Sequence, residues 1–255
     1  MNTYLLIASI VIFLCILLNR VSNRIGIPAL LAFIVLGMLF GSDGIMKIDF
    51  DNYAFAEQIC STALIFIMFY GGFGTNWQRA KAVAVKAVLL STIGVIITCF
   101  LTGLFCHIAL HMSWEISFLL GALISSTDAA SVFSILRSKK LNLKYNTASL
   151  LEVESGSNDP CAYMLTVAFI AVSQGNASPG NIAILIVKQL AFGIIFGVLI
   201  AKLSIMLLRY IRFKSAGFDA IFMVGIALIS YALPAYFDGN GFLSAYIVGI
   251  ILGNT

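Results

Sequence analysis

Two short polar passages interrupt otherwise apolar stretches of this chain: Ser125-Ser126-Thr127-Asp128, and Glu154-Ser155-Gly156-Ser157-Asn158-Asp159-Pro160. A carboxylate at mid-membrane costs a few kcal/mol on insertion scales, so it persists where it faces water, a partner or a transported ion. On a helix, Ser155 and Asp159 stand four residues apart, as do Glu154 and Asn158, forming neighbouring stripes on one side. A hydroxyl, a carboxylate, backbone carbonyls and water make a reversible oxygen site for a hard monovalent cation. Pro160 lacks an N–H, and its ring loosens the turn before it, offering further carbonyls. The four polar residues 125–128 mark a helix that breaks and restarts. Asp128 suits the N-cap of the second half, where its charge meets the positive end of the half-helix dipole. No lysine or arginine falls in the central turns of these segments, so Asp159 has no salt-bridge partner in view. Burial favours a protonated carboxylate and a bound cation favours the ionised one. Asp159 therefore holds a proton or a metal ion but not both, which is the chemistry of exchange.

The elements that position these groups are membrane helices. Hydrophobic residues make up 61% of the 255 and charged ones 10%, and the mean hydropathy is +1.04. Crossing a bilayer takes about 20 mostly apolar residues. Nine spans are expected, at 3–18, 27–41, 53–73, 84–110, 114–136, 146–173, 181–211, 217–236 and 242–254. The fold class is thus an all-α polytopic membrane protein. The first span lacks a basic flank and a small-residue cleavage site, so it reads as retained. Basic residues gather after the odd spans: Arg20 and Arg24; Arg79, Lys81 and Lys86; Arg137, Lys139, Lys140 and Lys144; Arg209, Arg212 and Lys214. Lys47 lies instead among Asp43, Asp49 and Asp51. The positive-inside rule then places the N-terminus outside a cell (inner) membrane and the odd connections in the cytoplasm. That topology accounts for the net charge of +4 without nucleic acid. The sequence carries no phosphate-binding loop, which argues against an ATP-driven pump.

Leu31–Ser42 aligns without gaps on Leu243–Asn254, and both segments keep GxxxG, as Gly37/Gly41 and Gly249/Gly253. The copies lie seven spans apart and so face opposite ways, the pattern of inverted-repeat transporters. The expected division is a six-helix repeat at 1–173, a linking helix at 174–214, and the start of a second repeat at 215–255. The chain accordingly reads as an N-terminal fragment.

Thr127-Asp128 in one broken helix and Asn158-Asp159 in the next, with Glu154 four residues before the asparagine, resemble the cation:proton antiporter superfamily in its sodium/proton exchanger branch. The wording Ser126–Phe133 and Leu151–Pro160 is most similar to bacterial potassium/proton antiporters of that branch. The resemblance runs through the whole chain. It implies a homodimer of roughly thirteen spans per subunit, with broken helices crossing at mid-membrane and a core moving like an elevator against a dimerisation domain. It also implies electroneutral exchange of K+ or Na+ for H+, with no cofactor. By the same resemblance Asp159 carries the ion and the proton, and Ser155 and the Thr127 backbone are auxiliary ligands. Asp128 stabilises crossed half-helices, while Glu154 and Asn158 hold a basic residue of the second repeat that lies beyond this chain. Ligand types leave Na+ and K+ open, and the leaning to K+ comes from the resemblance.

Two alternatives are weighed. Two aspartates on adjacent membrane helices suit an intramembrane aspartyl protease, but Gly156-Ser157-Asn158-Asp159 has asparagine where that family's Gly-x-Gly-Asp requires glycine. The other is an inactive membrane fragment. Cys15, Cys60, Cys99, Cys106 and Cys161 lie in apolar spans without a CxxC pair and read as buried thiols. Cys106, His107 and His111 fit no standard zinc spacing. Trp77, Trp114 and Tyr145 read as interfacial anchors, and Glu57, Lys188 and Asp219 as interfacial charges.

Overall fold

The computed structural model describes residues 2–25, 29–48, 52–138, 143–175, 178–210 and 217–255. Every regular element among them is helical: α1 Asn2–Ile25, α2 Ala29–Phe40, α3 Tyr53–Phe73, α4 Trp77–Ala80, α5 Ala84–Leu89, α6 Val95–Leu110, α7 Trp114–Ile124, α8 Ala129–Ser138, α9 Thr147–Ser173, α10 Pro179–Tyr210, α11 Phe218–Tyr236 and α12 Gly241–Gly253. A π-helical turn, Leu90–Gly94, joins α5 to α6. Asp49, Asp51, Lys139, Lys140, Arg212 and Lys214, on which part of the topology reading rests, lie outside the described residues.

Six segments are long and apolar enough to cross a bilayer: Leu5–Ser22, Tyr53–Phe73, Ala84–Leu110, Trp114–Phe133, Gly180–Tyr210 and Phe218–Tyr236. Of the other three expected spans, α2 and α12 are apolar but only 12 and 13 residues long. The third, α9, runs 27 residues but carries Glu152, Glu154 and Asp159. The apolar side chains on the outside, such as Phe13, Phe100 and Phe105, belong against lipid and not water.

The chain forms two compact units, Met1–Gln58 and Ile59–Thr255. In the first, α1 packs on α2. In the second, a buried core joins Ile65, Met68 and Phe69 of α3, Ala129 and Phe133 of α8, Ile200 and Ala201 of α10, Ile226 and Ala227 of α11, and Phe242, Tyr246 and Val248 of α12. Around α9 stand α5, α7, α8, α10, the π turn and α12, so the helix with most of the polar residues has neighbours on several sides.

Small residues set the closest approaches, as they do between membrane helices. A Cβ on Gly249 would stand 2.3 Å from the Phe69 carbonyl oxygen, and one on Gly253 2.0 Å from that of Phe73, so α12 lies backbone to backbone on α3. A Cβ on Gly37 would meet nothing within 4 Å. Gly121 on α7 meets the Cys99 carbonyl of α6. At the end of that helix pair His107 stacks on Trp114, with ring centroids 3.7 Å apart, while its Nδ1 lies 2.8 Å from the Met112 carbonyl oxygen.

Candidate functional site

The break comes where the polar run placed it. Helix α7 stops at Ile124, and Ser125 turns its hydroxyl back to the Ala122 carbonyl at 2.7 Å. Helix α8 restarts at Ala129, and Asp128 caps it: Oδ1 accepts from the Ser131 amide at 3.2 Å and Oδ2 from the Ser131 hydroxyl. The cap satisfies amides that a helix start leaves without partners and sets a negative charge at the positive dipole end. Two residues, Ser126 and Thr127, remain between the half-helices with side chains free to meet α9.

They meet it at Asn158 and Asp159. Ser126 Oγ donates to Asp159 Oδ1 and lies 3.5 Å from Asn158 Oδ1. Asn158 Nδ2 donates to Thr127 Oγ1 and, at 3.3 Å, to Glu154 Oε1. Thr127 Oγ1 donates to Ser155 Oγ at 3.4 Å, and Ser155 Oγ to Glu154 Oε2 at 3.3 Å. One polar network thus connects Glu154 and Asp159 of α9 through the residues of the break. Asn158 and Ser155 are fully buried, whereas Asp159 is half-buried. Burying the amide is tolerable because both its ends have partners.

A cavity of about 460 Å³ opens beside the break, lined by Ser126, Thr127, Asp128, Asp159, Tyr163 and Thr166 among apolar residues of α3, α7, α8 and α9. Asp159 thus faces a space large enough for an ion and several waters. The six sequence-selected residues come together in two layers. Asp159, Thr127 and Asp128 line the cavity, while Ser155, Asn158 and Glu154 form the network behind. The helical spacing that grouped Ser155 with Asp159 is present, but the Ser155 hydroxyl is engaged by Thr127 and Glu154. Pro160 does not break α9, which stays helical from Thr147 to Ser173.

Ser126 is the residue that spacing missed. Its role lies in a contact between helices, which periodicity within one helix does not register; its place in the polar run was the available signal. Among the described residues no cluster of three His, Cys, Asp or Glu forms a metal site. Cys99 and Cys106 are buried, but Cys60 stands exposed on the outer side of α3, where a thiol meets lipid at little cost. Lys188 Nζ lies 3.7 Å from Asp238 Oδ2 in an exposed ion pair, and Asp219 Oδ1 accepts from the Gly217 amide at the start of α11.

The family described as "Sodium/hydrogen exchanger, transmembrane" matches residues 9–255. Among curated proteins, the chain is 38% identical over 254 residues to the K(+)/H(+) antiporter NhaP of Alkalimonas amylolytica, covering 99% of this chain and 44% of that protein. It is 37% identical over 257 residues to the K(+)/H(+) antiporter NhaP2 of Shewanella sp. (strain MR-4), with the same coverage. The chain spans less than half the length of these relatives. Among solved structures, the sodium proton antiporter MjNhaP1 from Methanocaldococcus jannaschii matches with a TM-score of 0.82 at 22% identity, covering 100% of this chain and 63% of that one. At that identity the likeness establishes the fold.

Proposed function

Because this multi-pass membrane chain belongs to the sodium/hydrogen exchanger family, we propose that the protein exchanges a monovalent cation, K+ or Na+, for H+ by competition at Asp159. The observation that carries this reading is the half-buried Asp159 carboxylate, hydrogen-bonded by Ser126 across a helix break and open to a 460 Å³ cavity. Such a group binds a proton or a cation in turn. If only an occupied site crosses the membrane, a gradient of one ion drives the other, with each pH unit worth about 1.4 kcal/mol. The printed names of the NhaP and NhaP2 relatives favour K+.

In this mechanism Asp159 is the carrier. Ser126 and Thr127 supply oxygens from the break, and Ser155 braces Thr127. Asp128 holds the start of α8, while Asn158 and Glu154 fix the turn of α9 that presents Asp159. The protease alternative gains nothing from the geometry, since both Asp128 oxygens are engaged by Ser131. The same proposal extends to a homodimer in the inner membrane with its N-terminus outside. It also includes an inverted-repeat organisation with a first repeat at 1–173, a linking helix at 174–214 and a second repeat beginning at 215.

The test is proton flux in liposomes containing the protein, with imposed Na+ or K+ gradients, for wild type and Asp159→Asn. Exchange lost in the variant supports the carrier role, and the cation that dissipates the pH gradient identifies the substrate. Exchange that survives the substitution overturns the mechanism, and a stable wild-type protein without exchange favours the inactive alternative.

A further inference from the structure

The turn of α9 that carries Asp159 is weakly held by its own helix. Pro160 has no N–H, so the ladder bond it would send back to the Gly156 carbonyl is missing one residue after the carboxylate. A helix so interrupted bends or rotates unless neighbours fix it.

The neighbour that does so is α12, through its first turn. Asn240 is fully buried, and its side chain works in two directions. Oδ1 accepts from the Leu243 amide at 3.0 Å as the N-cap of α12, and Nδ2 donates to the Pro160 carbonyl oxygen at 2.9 Å. Its backbone amide donates to the Gln189 carbonyl of α10 at 3.0 Å, and Gly193 leaves room for this approach, since a Cβ there would lie 2.9 Å from the Asn240 carbonyl oxygen. Three helices therefore meet at one residue. Two residues on, Phe242 meets Tyr163 edge to face at 5.1 Å, and Tyr163 lines the cavity four residues beyond Asp159. On the other side of Asp159, the Tyr246 ring packs where a Gly156 Cβ would stand, 2.5 Å away.

We infer that Asn240 is a positioning residue for the ion site: its hydrogen bond to the Pro160 carbonyl, seconded by Phe242 on Tyr163, sets the rotation of the α9 turn that aims Asp159 into the cavity. The inference rests on the antiport reading above. It goes further, because it makes a residue outside the cavity, 80 positions from Pro160 in the chain, a determinant of how well the site holds its cation. A buried amide that served only to cap α12 would need no reach to α9.

Asn240→Ser separates the two roles. Serine is a competent N-cap for the Leu243 amide but is too short to reach Pro160. In liposomes, the half-saturating cation concentration should rise about fivefold, the worth of one hydrogen bond, with thermal stability in detergent near that of wild type. Asn254→Ser is the control. Asn254 ties the other end of α12 by accepting from the Trp77 amide and donating to the Thr75 carbonyl, so its loss should leave half-saturation unchanged. A purely structural role for Asn240 predicts a lower maximal rate with unchanged half-saturation, and that result overturns the inference. Should Asn240→Ser fail to fold, Phe242→Leu keeps the cap and releases Tyr163. It must also weaken half-saturation, and if it does not, the inference falls. Wild-type protein without exchange would sink the antiport reading itself, whereas exchange with an indifferent Asn240 would sink only this step.

Discussion

Gly249→Ala places one methyl group where α12 and α3 touch. The added carbon would stand 2.3 Å from the Phe69 carbonyl oxygen, 2.9 Å from the Phe73 amide nitrogen and 3.1 Å from the Phe69 carbonyl carbon. Weak C–H···O contacts settle at about 3.3–3.6 Å, so the helices must separate by about 1 Å. All three obstructing atoms are backbone, and no side-chain rotation relieves them. Overpacking of this kind costs about 1–3 kcal/mol. At about 2–4 °C per kcal/mol for a chain of this size, melting should fall by about 2–12 °C. The matched control is Gly37→Ala in the other sequence copy, where a Cβ meets nothing within 4 Å and alanine is the better helix former. The assay is thermal unfolding of both variants in one detergent, followed by helical circular dichroism. If Gly249→Ala melts with or above Gly37→Ala, the close α3–α12 approach is refuted.

Ser126→Ala removes the hydroxyl that bonds Asp159, and a hydrogen bond to a charged group is worth about 1.5 kcal/mol or more. Half-saturation for the cation should weaken about tenfold with exchange retained, as cation titration of proton flux would show; unchanged half-saturation would remove Ser126 from the site. Asp128→Ala should cost about 1 kcal/mol of stability through the lost cap, whereas Asp128→Asn, which still caps, should cost much less; equal melting of the two would refute the capping role. Asn158→Ala should be the most destabilising change in the polar network, by about 2–3 kcal/mol, since it removes one hydrogen bond each from Thr127 and Glu154 and empties a fully buried position. Denaturation in mixed micelles would measure it, and a loss no larger than that of Asp128→Ala would contradict the network.

The parts of this site legible in sequence were those that local chemistry dictates. Ser125–Asp128 interrupts an apolar segment with four consecutive polar residues, and the helix breaks there with Asp128 as its cap. Glu154 and Asn158 are four apart and hydrogen-bonded. Contacts across helices were not legible. Ser126 reaches Asp159 only because α8 and α9 pack side by side, and Asn240 reaches Pro160 across 80 residues. A signal for Asn240 did exist, since an asparagine flanked by Gly239 and Gly241 before an apolar run marks a helix start, but it does not reveal the second bond. Pro160 was expected to loosen α9, and the helix continues through it. The aligned glycines show a further limit: Gly249 lies against the backbone of α3, a close approach that the letters it shares with Gly37 do not encode.

The stack of His107 on Trp114 gives the protein a light-emitting reporter of its own. A stacked imidazole quenches indole emission on contact, so displacement of His107 brightens Trp114 without any attached dye. The sequence holds only two tryptophans, and the other, Trp77, is tied through its amide to Asn254 at the far end of α12. The emission of the protein therefore resolves into two signals, one from the junction of α6 with α7 and one from the end of α12. Replacing either indole by phenylalanine leaves a record of how the remaining indole's corner responds when cation is added.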